Sequence, residues 1–182
     1  MEVDPNMSER ELVALCSKSD RSAFKELYTR YAARVLALCF RYVNDREEAE
    51  DLMHDTMVKV FGAIGRFNYK GEGSLYAWIR RIAVNLSIDR IRKRTVWDMS
   101  TLKEEDSMTE EAAMEIPMPV LMEMISSLPE TQRLILNLYC IDGLSHNEIA
   151  GLLGIKPKTS SSLLAKAKRL LNEKVARYFN AI

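Results

Sequence analysis

The side chains of this chain that could act on another molecule are mostly cations, amides and hydroxyls rather than nucleophiles. One group is Lys158, Thr159, Ser161, Ser162, Lys166, Lys168 and Arg169, which helical spacing leaves facing outward. Another begins with Arg66, Phe67, Asn68, Tyr69 and Lys70 and continues with Arg80, Arg81, Arg90, Arg92, Lys93 and Arg94. Lysine and arginine neutralise phosphates and release counterions. Hydroxyls bond to phosphates or base edges. Rings and amides suit bases drawn out of the stack. The first group therefore fits paired nucleic acid and the second fits a single strand.

The first group sits on a helix that needs a partner helix to place it. Ser145 is spaced to N-cap a short helix, with Glu148 three residues on to complete a capping box. Ile149, Ala150, Leu152 and Leu153 supply its apolar stripe, and Gly154 follows its end. Pro157 opens the next helix, whose inner face is expected to be Ser160, Leu164, Ala167 and Leu171. A short helix, a glycine turn and a basic second helix form the layout of a helix-turn-helix. An ordinary αα corner with a solvated basic face would give the same local pattern.

The second group needs a loop and a long helix. Gly65 to Gly73 reads as the loop, and Ser74 is expected to cap a helix reaching Lys93 or Arg94. Leu75, Trp78, Ile79, Ile82, Ala83 and Leu86 are expected inside it. Gly71 and Gly73 resemble a fragment of a phosphate loop, but no strand precedes them and no Lys-Ser/Thr pair follows, so a nucleotide site is rejected.

Composition narrows the class. Hydrophobic residues make up 47% of 182, and nothing reads as a β-rich run. The expectation is an all-α chain with two small helical domains joined by a flexible acidic linker. The boundaries fall at 1–19 for an N-terminal extension, 20–95 for the first domain, 96–119 for the linker and 120–182 for the helix-turn-helix domain. Net charge is zero, which argues against a general nucleic-acid binder. The zero conceals segregation. Arg66 to Arg94 holds eight basic and two acidic residues, and Lys156 to Ile182 seven and one. Asp45 to Asp55 holds one basic and six acidic, and Asp98 to Glu123 one and eight. Two positive surfaces divided by acidic stretches suggest two nucleic-acid contacts and a separate protein partner. Three scattered cysteines suggest a reducing compartment, and no signal peptide or spanning run is seen, so the expected location is cytoplasmic.

The remaining elements are packing. Glu9 to Lys18 reads as a short helix with Leu12, Val13 and Leu15 inward. Asp20 is spaced to cap a helix to Val43 with Phe24, Leu27, Tyr28, Tyr31, Val35, Leu38, Cys39 and Tyr42 inside. Asp45 with Glu48 repeats the capping-box pattern, and a helix follows to about Ile64. Its first-turn acids are favoured by the helix dipole. Asp51 and Asp55 lie beyond that turn and are left unexplained by it. Val120 to Ser126 and a helix after Leu128-Pro129-Glu130, with Leu134, Ile135, Leu138 and Tyr139 inward, support the helix-turn-helix.

Three stretches in order resemble the extracytoplasmic-function group of bacterial RNA polymerase sigma factors. They are Asp45 to Thr56, Phe67 to Arg94 around Trp78-Ile79-Arg80-Arg81-Ile82-Ala83-Val84-Asn85, and Leu128-Pro129 with the helix-turn-helix. The resemblance implies a promoter-specificity subunit without catalysis or cofactor. Glu50, Asp51, Leu52, His54 and Asp55 would dock on the coiled coil of the polymerase's largest subunit. Phe67, Asn68, Lys70, Ser74, Arg80, Arg81, Asn85, Asp89, Arg90, Arg92, Lys93 and Arg94 would hold the melted minus-ten element, with a flipped base in the loop. Ser145, Lys156, Lys158, Thr159, Ser161, Ser162, Leu163, Lys166, Lys168 and Arg169 would serve the major-groove contact, and the second domain would meet the polymerase flap. An anti-sigma protein, commonly membrane-bound in the family, is the implied regulator. The family often has Lys and Arg near Ser161 and Leu163, where a hydroxyl can reach phosphate or base edge and leucine a thymine methyl. His54 stands where the family often has glutamine.

Two other classes compete. A free-standing helix-turn-helix regulator explains the C-terminal domain but has no need of the Phe67 to Arg94 block. An enzyme is disfavoured: His54 and His146 lie in different domains, the cysteine spacings fit no zinc site, and no motif places a nucleophile beside a base.

Overall fold

The computed structural model describes residues 7–94 and 116–180, and every regular element among them is helical. The first six residues of the expected N-terminal extension and most of the expected linker lie outside the described residues. The chain divides into two compact units, Met1–Ile91 and Arg92–Ile182.

The first unit is built from α1 (Glu9–Cys16), α2 (Arg21–Val43), α3 (Arg46–Ala63) and most of α4 (Ser74–Arg94). Each start has a local cause. Ser8 and Glu11 form a reciprocal capping box on α1. Asp20 accepts from the Ala23 amide at 2.9 Å, and Asp45 from the Glu48 amide at 2.9 Å. The left-handed Asn44 stops α2 after Val43, where the helix is expected to end. α2 and α3 pack along each other. Leu27, Val35, Cys39 and Tyr42 meet Ala49, Leu52, Met57 and Val60 in a core completed by Leu75, Ile79, Ala83 and Ile91 of α4. Burial pushes the Cys39 thiol up to about 11, so at neutral pH it packs as a small apolar group. Phe24 and Tyr28 differ from expectation. They are half-buried at the edge, Phe24 against Phe61 at 4.9 Å and Tyr28 against His54 at 6.3 Å.

The second unit contains α5 (Met118–Ser126), α6 (Glu130–Leu136), α7 (His146–Leu153) and α8 (Pro157–Asn180). The buried Arg133 guanidinium donates to the Ser126 carbonyl at 3.1 Å and the Leu128 carbonyl at 2.9 Å, clasping the turn between α5 and α6. α6 runs on as a π turn, Asn137–Ile141, closed by a bond from the Asp142 amide to the Asn137 carbonyl. That wider turn changes the phase of the side chains. Tyr139, expected inside, is exposed and stacks on His146 at 4.5 Å.

α8 packs on α6 and α7 through Thr159, Ser160, Leu163, Leu164 and Ala167. Two expectations fail here. Thr159 (6% exposed) and Leu163 (9%) belong to this inner stripe rather than the outer face. The steps 159, 160, 163, 164 and 167 follow the threes-and-fours of a helix, and both side chains lie within it. We therefore expect Leu163→Ala to destabilise the second unit by ~2–5 kcal/mol. Ser161→Ala, two residues away and on the exposed face, should change stability by less than ~0.5 kcal/mol. Urea melts of the two variants check this, and equal effects would contradict the assigned burial.

Candidate nucleic-acid interface

The loop between α3 and α4 is anchored at both ends. After a single 3₁₀ turn, Ile64–Arg66, Phe67 packs its ring on Trp78 at 4.8 Å. Trp78 is thus half-buried beneath the loop, not sunk in the core. At the other end the Lys70 amide donates to Ser74 Oγ at 3.2 Å, and that hydroxyl donates to the Gly71 carbonyl at 2.6 Å. Gly73 adopts φ +84°, a left-handed conformation that favours glycine. Asn68 and Lys70 stand exposed between the anchors.

The cap of α4 corrects the sequence reading. Ser74 was expected to supply it, but Ser74 closes the turn instead. The cap is Glu9, which comes from α1. Its Oε1 accepts from the Leu75 amide at 2.9 Å and its Oε2 from the Gly73 amide at 3.1 Å. The Tyr31 hydroxyl donates to Oε2 at 3.3 Å. Burial first, and the Glu9 carboxylate second, push the Tyr31 phenol up to about 12, so it stays protonated and donating. Sequence reasoning missed Glu9 because a carboxylate in a helix's first turn already has a local explanation in the dipole.

Along α4, Ala77, Arg81, Asn85 and Asp89 recur every fourth residue and are all exposed. Arg92, Lys93 and Arg94 form its exposed last turn, and Arg80 is half-exposed. Arg90 departs from this face. Its guanidinium lies 3.7 Å from Glu48 and 3.9 Å from Asp55, turned toward α3. The second half of the expected capping box at Asp45 is correspondingly the residue that meets Arg90.

α3 presents Glu47, Asp51, His54, Asp55 and Lys59 to solvent, with Glu50 half-buried and 2.9 Å from Arg46. Leu52, expected on the same docking surface, is 1% exposed. It sits on the opposite side of the helix, where its carbonyl accepts from the buried Thr56 hydroxyl at 2.7 Å.

In the second unit, Ser145 and Glu148 form the predicted reciprocal capping box. Hydrogen bonds from Ser145 hold the Glu148 carboxyl below its ordinary range. Gly154 takes φ +69° and ends α7. His146 Nδ1 lies 3.0 Å from the Oγ of the fully buried Ser160, so the first residue of α7 is tied to α8. Spacing places Ser160 on the inner face, but nothing in the sequence links its hydroxyl to His146. The outer face of α8 shows Lys158, Ser161, Lys166, Lys168 and Arg169 exposed, with Ser162 half-buried, and Lys156 stands exposed just before the helix. Ser162 donates back to the Lys158 carbonyl at 3.0 Å, leaving its lone pairs to accept. Exposed Ala165 lies within this face and leaves room for a close approach.

Among the described residues no group of three His, Cys, Asp or Glu could hold a metal ion, and no helix is long and apolar enough to cross a membrane.

Comparison with known proteins agrees with this division. A model of sigma-70 region 2 matches residues 27–96, and one of sigma-70 region 4 matches residues 120–171. The ECF RNA polymerase sigma-E factor of Escherichia coli (strain K12) is 28% identical over 184 positions, covering 93% of this chain and 95% of that one. The RNA polymerase sigma-H factor of Pseudomonas aeruginosa is 27% identical over 180, covering 91% and 92%. Among solved structures, CnrH in complex with the cytosolic domain of CnrY shares the fold at TM-score 0.51, with 20% identity, over 96% of this chain and 99% of that one. The sigma factor RpoE of Bartonella quintana, in complex with the anti-sigma factor NepR, does so at 0.50, with 22% identity, over 84% and 96%. With both sigma-70 regions matched in order and relatives aligned along nearly its whole length, the chain belongs to the extracytoplasmic-function group of RNA polymerase sigma factors.

Proposed function

We propose that this sigma factor divides promoter recognition between the two surfaces described above. The chain directs core polymerase to specific promoters and melts the minus-ten element. The observation that carries the division of labour is the pairing, in one small unit, of an acidic helix face with a clamped loop and a basic helix. Asp51, His54 and Asp55, with Glu50 at the edge, form the face for the polymerase coiled coil. Asn68 and Lys70 in the loop, with Arg80, Arg81, Asn85 and the Arg92–Arg94 turn, hold the displaced strand. Lys158, Ser161, Ser162, Lys166, Lys168 and Arg169 present α8 to the major groove. Thr159, Leu163 and Leu52 support these surfaces from within. Arg90 joins α4 to α3.

The chemistry is binding and strand separation, with no covalent step. Phosphate contacts fix register, and the exposed hydroxyls and amide read bases. An inhibitor of the anti-sigma class, like the one bound to the RpoE structure, is the partner we expect to compete for these faces. The cytoplasm is where such a protein meets its polymerase.

The test is a gel shift with and without core polymerase, on a promoter recovered from a random-sequence library. Retarded duplex is expected only when polymerase is present. A shift by the chain alone would favour a free-standing regulator. Within that assay, Asp51→Ala should weaken polymerase binding with little change in folding. Arg80→Ala with Arg81→Ala should instead impair opening more than polymerase binding. Fluorescence of a base analogue in the non-template strand reads the opening, and the reverse ranking would refute the placement. For α8, Lys166→Ala should weaken promoter binding evenly across sequences and lower the slope of log affinity against log salt by about 1. A sequence-dependent loss would make Lys166 a base reader.

A further inference from the structure

We propose that Glu9, carried on α1 outside both matched regions, is a positioning residue for promoter opening: its carboxylate fixes the Gly71–Leu75 backbone in the shape that receives the displaced strand. This rests on the reading of the Phe67–Ser74 loop given above.

Glu9 is 3% exposed. A buried carboxylate is costly unless its oxygens are bonded. Here the donors come from two separate parts of the chain: the Gly73 and Leu75 amides, and the Tyr31 hydroxyl on α2. The site is also the amino-terminal end of α4, where negative charge is favoured. Four other helix starts among the described residues have a local side-chain cap, at Ser8, Asp20, Asp45 and Ser145. α4 alone among these takes its cap from a residue 66 positions away in sequence. A local cap would satisfy the amides equally well, but it would leave the loop's path free. The distant cap does more, because the bonded turn runs without a break from Lys70 through Gly71 and Ser74 to the two amides held by Glu9. Phe67 on Trp78 pins the other end. Asn68 and Lys70 thus project from a segment fixed on both sides, and a strand binding there does not have to order the loop first. Preorganisation of this kind appears in binding and melting rather than in folding.

The experiment uses the full chain with core polymerase and a promoter recovered from a random-sequence library. Glu9→Gln keeps the volume and one acceptor, and removes the charge and the second acceptor. Opening, read by 2-aminopurine in the non-template strand, should fall ~10-fold, as loss of a charge-assisted bond predicts. Affinity for core polymerase should stay within about twofold, since α3 is a separate surface. The preference for a cognate over a scrambled single-stranded minus-ten oligonucleotide should shrink as well, whereas loss of folded protein would scale both signals equally. Unchanged opening, an equal loss of polymerase affinity, or loss of helical signal at 25 °C would each overturn the proposal. The double variant Asn68→Ala with Lys70→Ala separates the two levels. If it abolishes opening while Glu9→Gln does not, only the role of Glu9 fails. If it leaves opening intact, the loop reading fails and takes this inference with it.

Discussion

The amides at the start of α4 have no partner within the helix, and the N-terminal unit is arranged around satisfying them. Four such donors open any α-helix, and burying them unbonded is costly. In this protein they lie where a loop must also keep a left-handed glycine and present two polar side chains. One carboxylate addresses both needs, and it can do so only if α1 is docked against α2. Leu12, Val13 and Cys16 are buried for that docking. Tyr31 makes the join specific, bonding to Glu9 with its hydroxyl and stacking on Tyr76 of α4 at 5.9 Å. α1, α2 and the loop are therefore one mechanical piece, although the sequence separates α1 from the rest as an extension.

Charge is handled by segregation rather than excess. The chain is neutral, so it offers duplex DNA little uncompensated field as a whole. Each basic surface is local, and in the first unit an acidic face lies on the neighbouring helix. Arg90, with Glu48 and Asp55 at 3.7 and 3.9 Å, is the point where the two signs meet. Both are long contacts, partly covered on the Glu48 side and exposed on the Asp55 side, and their strength is small. Their effect is on distribution: they draw one cation from the α4 face to α3. A neutral chain with local basic patches suits a subunit that binds DNA together with a larger enzyme.

Several helix starts and stops with a local cause were legible, although the local Ser8–Glu11 box on α1 was not. Asp20, Ser145 with Glu148, and Gly154 are each where spacing put them. What escaped the sequence has two physical sources. Long-range satisfaction is one: Glu9 reads as an ordinary first-turn acid, and nothing in a linear pattern links it to Gly73. Phase is the other. Assigning the inner face of α8 from Ser160, Leu164, Ala167 and Leu171 described a stripe one residue wide, whereas packing against both α6 and α7 needs a broader one that takes in Thr159 and Leu163. Leu52 is a different kind of error: the resemblance to a docking segment placed it outside, whereas an apolar residue at helical spacing from Ala49 and Thr56 packs inside.

The π turn after α6 accounts for a further misreading and has a structural consequence in the helix-turn-helix. Five residues at the wider pitch carry Tyr139 away from the core that Leu134, Ile135 and Leu138 occupy. An uninterrupted α-helix would have continued the inner stripe through position 139. Once outside, the Tyr139 ring becomes a wall against which His146 stacks, and the imidazole reaches the Ser160 hydroxyl from that position. The orientation of α8 relative to α7 is thus set partly by a backbone irregularity one element earlier, through a ring, an imidazole and a buried hydroxyl. A polar linkage of this sort specifies one arrangement more sharply than apolar contact alone, because a shift of α8 would leave Ser160 buried without its partner.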